Sequence, residues 1–151
     1  MPERVAMDSN VLAAIFFAED ASQRALDAVA KPDLVTLDLA LIEVGNVAWK
    51  QVILFGEDRD LALKALQKCQ AFITEACDIV RAEDLVFRAY EISIDTTTSF
   101  CDSLFLALAE KEQTPLLTLD KKLYKKANAS FIGHRLGTFR IFISQYYPNC
   151  T

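Results

Sequence analysis

Short apolar runs alternate along this chain with longer stretches of helical periodicity, and turn-forming residues separate them. Arg4 to Met7 reads as a short buried strand. Asn10 to Ala18 reads as a helix, with Ser9 or Asn10 available as its N-cap. Ser22 to Ala30 carries Ala25, Leu26 and Val29 at helical spacing, and Lys31-Pro32 breaks the chain before a second strand at Leu34 to Leu37. Leu39 to Phe55 is a long, mostly apolar helix ending near Gly56. Asp58 to Cys77 is amphipathic, with Leu61, Ala65, Cys69 and Phe72 among its apolar positions. Asp78 to Val80 predicts a third strand, Ala82 to Ile94 a helix, and Asp95 to Ser99 a polar turn. The nearly all-apolar stretch Asp102 to Lys111 predicts a deeply buried helix. Leu116 to Leu119 predicts a fourth strand, Lys121 to Ala127 a short basic helix, and Phe139 to Ile143 a last strand.

Strands alternating with helices imply a parallel sheet with helices on both faces. The expected fold is therefore a three-layer α/β/α arrangement around about five parallel strands, as one domain over residues 1–151. In such sheets ligands collect at the carboxyl ends of the strands. Asp8 closes the run Val5-Ala6-Met7 and Asp120 closes Leu116 to Leu119, so both are expected at those ends.

Two more carboxylates stand beside apolar sequence: Asp102 opens Leu104 to Ala109, and Glu43 interrupts Leu39 to Val47. A carboxylate against buried surface costs free energy unless a proton, a hydrogen bond or a cation compensates it. Three of the four have an ordinary structural use: Asp8 or Asp120 could cap the helix that follows, and Asp102 lies at capping-box spacing from Ser99. Glu43 is harder to place on the surface. Its neighbours one helical turn away are Leu39, Ala40, Asn46 and Val47, and Asn46 offers a hydrogen bond but no charge. A divalent cation shared by the four acids would supply that charge.

Composition narrows the choice. With 52% hydrophobic and 25% charged residues among 151, this is an ordinary packed globule able to bury roughly 70% of its unfolded surface. No apolar run approaches a membrane span, and Val11 to Ala18 is too short for a signal peptide, so no membrane association and a cytoplasmic location are expected. The net charge of −5 argues against a broad basic nucleic-acid surface. It leaves room for a nuclease whose cations attract phosphate. Cys69, Cys77, Cys101 and Cys150 lack CxxC spacing, and the single histidine, His134, cannot complete a usual zinc set. If Cys69 and Cys77 share one helix, they lie about 12 Å apart along its axis, beyond disulfide reach. Reduced, mostly buried thiols are expected, with a thermophile's disulfide as the minor alternative.

In order and setting, the four acids resemble the PIN-domain family of metal-dependent ribonucleases, including VapC-type toxins. The matching segments are Val5 to Leu12, Ile42 to Val47, Asp102 to Ala109 and Leu117 to Leu123. The resemblance implies that Asp8, Glu43, Asp102 and Asp120 bind Mg²⁺ or Mn²⁺ and carry catalysis, with Asn10 and Thr118 as polar residues bordering the site. It also implies an RNA substrate, a small antitoxin partner and a homodimer. Phe100-Cys101 before Asp102 departs from the many relatives that have an aromatic directly before this aspartate, and the tail from Phe131 onward matches nothing diagnostic. The expected activity is endoribonucleolytic hydrolysis of RNA phosphodiesters by a toxin of a toxin–antitoxin pair. The alternatives are a housekeeping RNA-processing nuclease, a PIN-like binding module without turnover, and an unrelated phosphotransfer enzyme using Asp8 as nucleophile.

Other features have ordinary readings beside functional ones. Lys121, Lys122, Lys125 and Lys126 could hold an RNA backbone or simply solvate a helix face. Arg135 and Arg140 could contact phosphate or serve solubility. Trp49 and the ten phenylalanines suit a core or an interface better than base stacking.

Overall fold

The structure is a computed structural model that describes residues 3–17, 26–27, 29–30, 32–129 and 140–141. Among these residues, five parallel strands form one sheet: β1 (Arg4–Met7), β2 (Asp33–Leu37), β3 (Cys77–Val80), β4 (Leu116–Thr118) and β5 (Arg140–Ile141), in the spatial order β3-β2-β1-β4-β5. Val5 sits opposite Leu34, Leu34 opposite Cys77, and Met7 opposite Leu117. The chain runs outward from β1 through β2 to β3, then returns to the other side of β1 for β4 and β5. The reversal falls between β1 and β4, the crevice where open parallel sheets bind ligands.

Among the described residues the helices with full ranges are α1 (Ser9–Phe17), α2 (Leu39–Ile53), α3 (Arg59–Ala76), α4 (Val86–Thr96), α5 (Phe100–Glu112) and α6 (Lys121–Ala129). α1, α2 and α3 pack on one another, while α5 lies across β1, β2 and β4 with α4 packed on it. Ser103 through Ala109 of α5 are all buried, which is why that segment carries no polar stripe. Removing a fully buried side chain such as Leu106 or Leu108 would cost about 2–5 kcal/mol.

Local chemistry sets most boundaries. The Asp58 carboxylate caps α3 by accepting from the N–H groups of Asp60 and Leu61. α2 stops at Ile53, and Gly56 takes the turn beyond it with φ +69, a left-handed value that suits glycine. Three expectations need adjusting. Cys77 is not in α3 but opens β3, because its backbone is extended and pairs with Leu34. The stretch from Ala82 begins as a 3₁₀ turn, Ala82–Leu85, before α4 starts. Asp38 tethers its start by accepting from the Ala82 N–H at 2.9 Å. Ser9 and Asn10 are not caps; both belong to α1 and turn their side chains to other partners. The expected helix at Ser22 to Ala30 lies largely outside the described residues, as do His134, Arg135, Cys150 and most of the last strand.

Candidate active site

β1 ends at Met7, so Asp8 emerges at the carboxyl edge of the sheet beside the end of β4. The Asp8 N–H is still held by the Leu117 carbonyl at 3.0 Å, which makes the exit direction rigid. Asp8 is only 4% exposed. Its Oδ2 accepts the Thr118 hydroxyl at 2.8 Å, and its Oδ1 lies 3.4 Å from Ser9 Oγ. Burial, together with the like charges of Asp102 and Glu43, pushes the Asp8 carboxyl up to about 7 against the opposing hydrogen bond from Thr118.

Glu43 reaches the same place from α2. Its Oε1 accepts from Ser9 Oγ at 3.0 Å, so one serine stands between two carboxylates. The expected helper, Asn46, is exposed, and Ser9 from α1 supplies the hydrogen bond instead. Burial raises the Glu43 pKa, the Ser9 bond opposes the rise, and Asp102 adds to it.

Asp102 lies in the first turn of α5, and its N–H is capped by Ser99 Oγ at 3.2 Å. The capping geometry expected from the Ser99–Asp102 spacing is present, and it leaves the carboxylate side chain outside the cap. Burial raises the Asp102 pKa, and Asp120 raises it further, while the Ser99 bond and the charge of Lys126 act the other way. Asp120 combines two uses: its Oδ1 caps α6 through the N–H groups of Lys122 and Leu123, leaving its second oxygen outside that cap.

Asn10 and Thr118 stitch this crevice together. Asn10 donates to Thr118 Oγ1 at 3.3 Å and accepts from the Leu119 N–H at 3.2 Å, joining α1 to the end of β4. The four acids thus form an electrically coupled row, Glu43 and Asp8 feeling Asp102, and Asp102 feeling Asp120. Among the described residues, no three Asp, Glu, His or Cys side chains are already gathered as a metal-binding group. The donor chemistry of the row, all carboxylate and hydroxyl oxygen, fits a hard cation such as Mg²⁺ or Mn²⁺.

Residues 5–129 match the PIN domain family. The chain belongs to that family. Among its relatives is Ribonuclease VapC3 of Pyrobaculum aerophilum, 31% identical over 124 residues that cover 82% of this chain and 94% of that protein. The crystal structure of PAE2754, also from Pyrobaculum aerophilum, superposes with a TM-score of 0.65 at 21% identity, covering 91% of this chain and 96% of that one. That likeness speaks for the PIN fold, and the expected parallel sheet with helices on both faces is what this PIN domain has.

Ser9 is the residue that sequence reading undervalued. It was legible only as a helix cap, yet in this PIN domain its hydroxyl donates to Glu43 and stands 3.4 Å from Asp8. Its one sequence signal is its place directly after Asp8. Asp38, at the end of β2, is a further acid at this sheet edge, and its Oδ1 accepts from the Ala82 N–H.

Proposed function

We propose that this PIN domain is a metal-dependent endoribonuclease, and that it acts as the toxin of a toxin–antitoxin pair. The observation that carries the reading is the buried Asp8 at the β1–β4 crevice, charge-coupled to Glu43 and Asp102, with Asp120 completing the row. Asp8, Glu43, Asp102 and Asp120 would hold Mg²⁺ or Mn²⁺. A bound divalent ion lowers the pKa of water and offsets the charge that grows on a phosphodiester during in-line displacement. The chain's own contribution is placement. Thr118 fixes the rotamer of Asp8, Ser9 ties Glu43 to it, and Asn10 holds the start of α1 to the end of β4. Lys122 and Lys125, exposed on α6 beside Asp120, suit the backbone of an RNA substrate.

The test is RNA cleavage by purified protein with Mg²⁺ or Mn²⁺, abolished by EDTA. Asp8→Asn and Asp102→Asn should each lose activity while keeping the fold. If both cleave as well as wild type, the assignment falls.

The partners follow from the same reading. A cleft of about 460 Å³ between α2 and α3, lined by Gly45, Ala48, Trp49, Val52, Leu63 and Leu66, suits an apolar segment of a small antitoxin. A basic side chain from that partner could enter the acidic pocket, given the net charge of −5. Exposed Phe87, Tyr90 and Ile94 on α4 suit a homodimer contact. Among the described residues no helix is long and apolar enough to cross a membrane. Growth arrest on expression, relieved by the product of a neighbouring gene that co-purifies, supports the toxin role. Normal growth with no bound partner leaves RNA processing in its place.

A further inference from the structure

We propose that Lys126 is a positioning residue for the acidic row: by clamping the strained turn at Thr97 it sets Asp102, at the start of α5, against Asp120, at the start of α6. The inference rests on the metal-site reading above and adds a residue that reading does not use.

Thr97 ends α4 in the left-handed region, with φ 57. For a β-branched residue this conformation is strained and persists only where the surroundings enforce it. Part of the enforcement is a row of buried hydroxyls. Thr96 Oγ1 donates to the Ile92 carbonyl at 2.7 Å, Thr96 and Thr98 share a 2.7 Å contact, and Thr98 meets Ser103 Oγ at 2.6 Å. Ser103 in turn reaches the Ser99 carbonyl at 2.8 Å, and Ser99 caps Asp102. The turn is therefore wired directly into the first turn of α5.

A further tie comes from a different element. Lys126 Nζ donates to the Thr97 carbonyl at 2.8 Å. Lys126 sits on α6, the short helix whose N-terminus is capped by Asp120. One helix thus carries both a carboxylate of the row and the clamp on the turn that precedes the neighbouring carboxylate. The ammonium also offsets the repulsion on Asp102.

Calorimetric Mn²⁺ titration of the full chain, beside RNA cleavage kinetics, tests the role with K126M, K126Q and K126R. The side chain is exposed, so the fold should survive, which metal-free melts check. K126M and K126Q should bind Mn²⁺ about tenfold more weakly or worse and lose kcat, with KM for RNA little changed, and K126R should recover most of both. Deleting a cation beside an acidic row should by charge alone tighten Mn²⁺ binding. Unchanged or tighter binding by K126M therefore overturns the positioning role. A raised KM with unchanged kcat also overturns it and marks Lys126 as a phosphate contact. Failure of the wild type to bind Mn²⁺ is a separate result, which removes the metal-site reading itself.

Discussion

Thr118 donates its hydroxyl to Asp8 Oδ2 at 2.8 Å and on the same oxygen accepts the Asp120 N–H at 3.1 Å. A third bond, from Asn10 Nδ2, fills the remaining acceptor position. One hydroxyl therefore orients one acid of the row and the backbone of another. Both it and Asp8 are buried, so neither can trade these bonds for water without local opening.

Thr118→Val keeps the shape and removes the hydroxyl. Leaving a buried carboxyl oxygen and a backbone N–H without this partner should cost roughly 1–3 kcal/mol. Thr118→Ser should keep most of the stability. Denaturant melts of the two variants decide, and a Thr118→Val protein as stable as wild type would show that the hydrogen bonds carry no net weight.

Stability without metal should fall as pH rises toward neutrality, and Asp8 should account for part of the fall. Burial pushes its carboxyl up to about 7 in the folded state, above the ordinary value of 3.8. Below the lower value both folded and unfolded states hold the proton, and the stabilising contribution is complete. Between the two values the unfolded chain releases the proton while the folded one keeps it, so the contribution is lost as pH approaches 7. Asp8→Asn should gain stability relative to wild type from pH 4 to pH 7 in EDTA. A constant difference across that range contradicts the burial of the charge.

Glu43→Gln and Asp120→Asn should be neutral or stabilising in metal-free buffer, because each removes one like charge from the row. Mn²⁺ should reverse the ranking. A ligand that binds only the folded state adds about 2.7 kcal/mol at a hundred times its dissociation constant, and variants lacking a ligand should gain less. Thermal melts with and without Mn²⁺ measure this, and equal shifts in all three proteins would exclude both residues as ligands.

Thiol reactivity should divide by burial. Burial pushes the Cys69 thiol up to about 12 and the Cys77 thiol up to about 11; the Cys101 thiol is raised too, by partial burial and the charges of Glu43 and Asp102, but it is exposed at the start of α5. Iodoacetamide should label Cys101 in the native protein and reach Cys69 and Cys77 only after unfolding. Peptide mapping reads the order, and early labelling of Cys69 would mean that α3 opens locally.

Alternating short apolar runs and amphipathic stretches were enough to place most of the described strands and helices and their parallel α/β order, because burial on one face or both leaves a period in the sequence. They also brought out Asp8 and Asp120, since an acid that ends a buried strand stands out against its neighbours. The tertiary structure decided what periodicity cannot encode. Cys77 is continuous with the α3 pattern, and its pairing with Leu34 makes it strand. Glu43 found its partner in Ser9 on another helix, and Thr97 found Lys126, a residue 29 positions away. Such pairs depend on where separate elements cross, and a one-dimensional pattern records which face is apolar but not which polar atoms meet across it.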